Sequence, residues 1–157
     1  MPAPIAGLHH VTAVSGEAGP TIAFYRDVLG LRLVTVTVNF DDTGTYHLYF
    51  GNETGEPGTS LTFFPFGGRP GTPGAGQATA TAFAVPRGSL AFWRDHLGGH
   101  EIAVDGPLER FDERVLRFRD TDGQPLELVA CESGIEPWAP AEGPIPTAHA
   151  TRGFHGV

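Results

Sequence analysis

The sequence predicts an α+β fold: two βαβββ modules that together form one domain with a concave sheet. Three observations predict it. The segment Phe24-Tyr25-Arg26-Asp27-Val28-Leu29-Gly30 returns as Phe92-Trp93-Arg94-Asp95-His96-Leu97-Gly98, with five of seven residues identical. The short apolar run Leu61-Thr62-Phe63 finds its counterpart in Leu126-Glu127-Leu128. Each copy also reads in the same order: an extended opening, a short helix and three strand-like runs. Two copies of one supersecondary unit explain this pattern.

The first module opens with Leu8 to Val14 in extended form. Pro20 suits the first helical turn, where its missing N–H is not needed, and Gly30 can take the left-handed conformation that stops a helix. Between them Ile22, Tyr25 and Leu29 make an apolar stripe at helical spacing. Leu31 to Val38, Thr45 to Phe50 and Ser60 to Phe66 are β-branched or aromatic and read as strands. The second module repeats the order with Thr79 to Val85, a helix capped by Ser89 and ended by Gly98, and strands at Glu101 to Val104, Arg114 to Arg119 and Leu126 to Cys131. Gly67 to Gln77 is mostly glycine and proline without a phosphate-loop pattern, and it is expected to be a connector.

Residues 1–133 are therefore expected to form the domain, with modules at 5–66 and 78–131. Residues 134–157 read as a proline-rich linker or wrapping arm that runs into a third module. The third module is inferred from Gly153-Phe154-His155-Gly156-Val157, which repeats Gly7-Leu8-His9-His10-Val11.

With 157 residues and 40% hydrophobic content, the chain can bury one good core but hardly two. Its 10 basic and 18 acidic residues give a formal net charge of -8. That charge repels phosphate backbones and argues against nucleic acid as a partner. Nothing resembles a signal peptide or a membrane span, so a cytoplasmic protein without a membrane partner is expected. Cys131 is the only cysteine, which excludes an intramolecular disulfide and a cysteine-rich zinc site. No basic partner lies near it in sequence, and no serine sits in a nucleophile-elbow pattern.

Candidate chemistry begins at His9 and His10. Neighbouring strand residues point to opposite faces, so these two are not expected to enter one cavity together. Val11 and Ala13 suit helix packing, which assigns His10 and Thr12 to the concave face. His10 reads either as a metal ligand or as an ordinary hydrogen-bonded histidine near a strand end. Glu127 lies in an apolar run where an unpaired carboxylate facing the interior is costly. It would meet a metal, sit on an exposed edge, or pair with an arginine such as Arg117 or Arg119. His47 is a third possible ligand, with a half-buried structural histidine as the preferred reading. The Asn39 to Gly44 carboxylates fit turn chemistry, and Phe63, Phe64 and Phe66 fit either core or a cavity wall.

Three segments carry a family likeness: Leu8-His9-His10-Val11-Thr12, Phe24 to Leu31, and Asp122-Gly123-Gln124-Pro125-Leu126-Glu127-Leu128. They resemble the glyoxalase/bleomycin resistance/dioxygenase, or vicinal oxygen chelate, superfamily over nearly the whole chain. Thr37 to Tyr49 and Pro57 to Pro65 look like the amino-terminal half of hydroquinone-type ring-cleaving dioxygenases. The resemblance implies a four-module extradiol enzyme with a divalent metal, Fe(II) first and Mn(II) second, and an aromatic small-molecule substrate. It makes His10 the first-strand metal ligand and His9 a catalytic neighbour that contacts substrate or moves a proton. The other two ligands would come from the last module, so this chain alone would be inactive. A complete two-module site of the glyoxalase I kind is not expected, because the repeat equivalents of His10 and Glu127 fall near Ala80 and at Thr62.

The alternative is a non-catalytic, dimeric binding protein of the bleomycin-resistance kind, holding flat aromatic ligands between side chains such as Phe40, Tyr46, Phe64, Trp93 and Trp138. In either case the surface meant for further modules predicts self-association, as a homodimer.

Overall fold

In the computed structural model, residues 5–72 and 74–157 are described. The chain runs β1 (His10–Ser15), α1 (Ala18–Ala23), β2 (Arg32–Val38), β3 (Tyr46–Gly51) and β4 (Ser60–Pro65). It continues through β5 (Thr81–Val85), α2 (Leu90–Gly99), β6 (Asp105–Arg110), β7 (Glu113–Arg119), β8 (Pro125–Ala130) and β9 (Phe154–Gly156). The first module forms a four-stranded sheet ordered β1-β4-β3-β2, and the second a sheet ordered β6-β7-β8-β5-β9. In each module the first strand lies parallel to the last, β1 beside β4 and β5 beside β8. The duplicated unit is thus βαβββ in both halves.

Alternation along the strands sorts the side chains. In β1, Val11 and Ala13 pack on the core while His10, Thr12 and Val14 are exposed. One continuous core joins the halves: Phe24, Tyr25, Leu48, Phe50, Leu61 and Phe63 cluster with Phe83, Trp93, Leu97, Leu116 and Leu128. Buried polar contacts cross the same junction. The Tyr25 hydroxyl donates to Asp120 Oδ2 at 2.8 Å, and the His96 imidazole Nε2 lies 2.8 Å from the Val28 carbonyl. The molecule therefore has the two expected βαβββ modules, with their sheets on a shared core.

Three local expectations are corrected. The first helix does not run evenly to Gly30: α1 passes into a π-helical turn over Phe24–Val28, and the Leu29 amide reaches back to the Phe24 carbonyl at 3.1 Å. That wider turn swings Phe24 and Tyr25 into the core. Ser89 precedes α2 without capping it, because its hydroxyl bonds the Ala148 carbonyl instead. The run Glu101 to Val104 is not a strand: Glu101 is left-handed (φ 60°), the Ile102 amide closes on the Leu97 carbonyl, and β6 starts at Asp105.

The segment after Gly134 wraps the molecule. Ile145 and Ala150 are buried in the shared core, the Trp93 indole donates to the His149 carbonyl at 2.8 Å, and Phe92 stacks on the His149 ring at 4.3 Å. The segment ends in β9, which pairs antiparallel with β5.

Candidate metal and substrate site

The free face of the four-stranded sheet is built row by row. His10 pairs with Ser60 and Thr12 with Thr62, whose hydroxyls lie 2.9 Å apart. Thr62 pairs in turn with Tyr49, and Tyr49 with Thr35. The next row along carries Val14 and Phe64, and Phe64 lies against His47 on β3. The face thus holds two histidines, a tyrosine, threonine hydroxyls and Phe64.

His9 and His10 come together in a way the alternation rule does not anticipate. The strand starts at His10, so His9 is free of it, and the Gly58 amide holds the His9 carbonyl at 2.8 Å. The two rings meet edge to face at 5.3 Å, with Nδ1 3.2 Å from Nδ1. Such a bond needs one nitrogen to donate and the other to accept, so the two rings carry complementary tautomers.

His47 is a half-buried polar group of this face. Its ring lies 4.1 Å from that of Tyr49 and 4.0 Å from that of Phe64, and the Tyr49 hydroxyl bonds its Nδ1 at 2.9 Å. Its Nε2 is buried without a protein partner. Burial and then the nearby His10 push its pKa below the usual histidine value, so this imidazole is held neutral. Phe66 extends the aromatic wall, stacked on Phe64 at 5.8 Å.

Glu127 is not brought to these histidines. It sits on β8 in the other sheet, opposite Ala82 and Arg117. Its carboxylate accepts two bonds from Arg110, at 3.1 and 2.6 Å, and one from Arg117 at 3.0 Å. Burial pushes its pKa up, but the two guanidinium groups outweigh this and the net shift is downward. The cation that a buried glutamate requires is supplied here by arginine, one of the three partners the sequence left open for Glu127. Arg110 lies beyond the arginines anticipated, because only the β6–β7 pairing brings it alongside. A cleft of about 920 Å³ surrounds this cluster, with Ala80 and Arg119 also on its wall.

A third cluster was invisible in sequence. The donor atoms of Glu113, Cys131 and His155 lie within 4.8 Å of one another. They come from widely separated positions, and no local motif marks them.

A family model described as the Glyoxalase/Bleomycin resistance protein/Dioxygenase superfamily matches residues 7–128, and the chain belongs to that superfamily. Among its relatives, MhqE of Bacillus subtilis (strain 168), provisionally named a ring-cleaving dioxygenase, is 48% identical over 153 residues, covering 96% of this chain and 50% of MhqE. The chlorohydroquinone/hydroquinone 1,2-dioxygenase of Sphingobium indicum is 39% identical over 162 residues, covering 99% of this chain and 50% of that protein. A crystal structure of a provisionally named Bacillus subtilis dioxygenase superposes with a TM-score of 0.89 at 46% identity, over 96% of this chain and 48% of that one. The fosfomycin resistance protein FosX of Listeria monocytogenes shares the fold alone, with a TM-score of 0.61 at 16% identity over 82% of this chain and 95% of FosX. The chain spans about half the length of the curated relatives it matches. Among the described residues, no helix is long and apolar enough to cross a membrane.

Proposed function

We propose that this chain is the amino-terminal half of an extradiol ring-cleaving dioxygenase acting on hydroquinone- or catechol-like aromatics. The observation that carries the reading is the His9–His10 pair on an open sheet face walled by Phe64, His47 and Tyr49. Neutral imidazole is a donor that Fe(II) and Mn(II) accept, with Fe(II) the first choice, and His10 is exposed enough to present it. Held in part by His10, such an ion would supply open coordination positions for a diol and dioxygen and the electronic coupling between them.

This chain's own part is orientation and proton handling. With His10 Nδ1 donating to His9 Nδ1, the Nε2 lone pair of His10 stays free for a metal, and the partner ring fixes its direction. His9 then carries its proton on Nε2, where it can donate a hydrogen bond to a substrate oxygen. The flat wall of Phe64 and His47, extended by Phe66, suits an aromatic ring laid against it. The remaining histidine and carboxylate of the triad would come from outside these residues, from further modules for which β9 is the start. We place the protein in the cytoplasm as a homodimer.

The test uses the protein as its host makes it, loaded anaerobically with Fe(II) and supplied with hydroquinones and catechols under oxygen. Oxygen uptake with ring-opened product is expected, and H10A should abolish it. No turnover of any diol by the loaded wild-type protein would overturn the reading. The same aromatic wall favours, second, a binding protein without catalysis. Aromatic-ligand binding that a chelator leaves unchanged would point there.

A further inference from the structure

We infer that Glu113, Cys131 and His155 form a second site, for a zinc-type divalent ion, on the free face of the five-stranded sheet. It is independent of the histidine pair and of the dioxygenase reading. The three donors come from β7, from the residue following β8, and from β9. Continuing the β7–β8 register by one step sets Glu113 opposite Cys131.

His155 reaches them because of an irregularity in the edge strand. Gly156 opposes Ala82 and Phe154 opposes Phe83, which leaves His155 as the extra residue of a β-bulge. A bulge re-aims the side chain it carries. Phe154 turns inward against Phe83, with ring centroids 5.5 Å apart, while the His155 ring crosses the sheet to bring Nε2 within 2.9 Å of a Glu113 oxygen. Ala82 and Val129, small buried side chains of the same face, form with Val115 the apolar floor against which Cys131 packs.

The donor set discriminates among ions. Imidazole, carboxylate and thiolate together suit Zn(II) and disfavour Mg(II) or Ca(II), which take oxygen ligands. In a tetrahedral site with bonds of about 2.0–2.3 Å, neighbouring donors stand roughly 3.3–3.8 Å apart. The three donor atoms here lie within 4.8 Å of one another, close to that spacing. Three protein donors leave a fourth position for water or for another ligand.

The experiment is a Co(II) titration of the metal-free chain followed by absorbance. One equivalent should produce a thiolate-to-cobalt charge-transfer band in the near ultraviolet. C131S should abolish that band, H155A and E113A should each weaken affinity at least tenfold, and H10A should leave it intact. Loss of the band in H10A, or a band unaffected by H155A and E113A, would overturn the site. So would no band in the wild-type chain. Should C131S not fold, alkylation of Cys131 by iodoacetamide gives the same answer in the wild-type chain. Zn(II) at one equivalent should slow it severalfold there and not in H155A, and equal rates with and without Zn(II) would overturn the proposal. Because the histidine pair contributes no sulfur, failure here leaves the dioxygenase reading standing, and the converse also holds.

Discussion

Glu127 is only 6% exposed, yet it is ionised, because Arg110 and Arg117 supply three hydrogen bonds to it. Its folded pKa lies below its unfolded value, near about 4.3. The pair's contribution is therefore present above that value and is lost as the pH falls through the folded pKa. R110A should cost about 1–2 kcal/mol at pH 7, since Arg110 is itself partly exposed. Urea unfolding should show the difference shrinking below pH 4, and a difference unchanged at pH 3 would contradict this account. His47 shows the other common pattern. Burial and His10 both oppose its protonation, so NMR should place its titration below the ordinary histidine value, and H10A should move the midpoint upward. A midpoint unmoved by H10A would mean that the two rings do not interact.

At the scale of elements, the end of the first helix is over-determined. Gly30 sits at φ +72°, and a Cβ there would lie 2.7 Å from Ile145 Cγ1 on the wrapping segment. G30A should lose about 1–3 kcal/mol, from the left-handed backbone and the clash together. A thermal melt unchanged from wild type would show that Ile145 yields without cost. The π-helical turn beside it delivers Tyr25 to Asp120, the buried bond between modules. Asp120 Oδ1 already accepts from the Asp122 and Gln124 amides, so Y25F leaves Oδ2 without its phenol donor. That substitution should cost about 1–3 kcal/mol by urea unfolding. Burial raises the Asp120 pKa, so this group favours the folded state below its unfolded pKa and loses that advantage as the pH rises through its folded one. Asp120 and Glu127 thus bend the pH profile in opposite directions.

For the whole molecule, the free face of the four-stranded sheet carries the exposed Val14 beside Phe64, and the edge strand β2 adds exposed Val36 and Val38 on the opposite side. Faces of this kind in a single chain favour a partner. Sedimentation equilibrium should show a dimer at micromolar concentration, and V14E should shift it toward monomer. A monomer throughout the concentration range would remove self-association from the account. The wrapping segment adds a second dependence. Because Trp93 donates to the His149 carbonyl and Ile145 and Ala150 are buried, the two modules owe part of their junction to residues after 134.

The module repeat, the strand pattern and the choice of His10 and Thr12 for the free face of β1 were all legible in the sequence. They depend on local rules: helical and strand periods, turn residues, and the alternation of neighbouring side chains. Those rules end with the element. Whether Glu127 meets a metal or an arginine depends on β6 lying beside β7, which carries Arg110 into reach across seventeen residues of chain. That His9 and His10 touch depends on where the strand begins, and that His155 meets Cys131 depends on a bulge against β5. Such contacts arise from strand order and register, which many chains with the same local pattern could satisfy differently. Only the packed tertiary structure selects among them, because the shared core admits a single register for each strand.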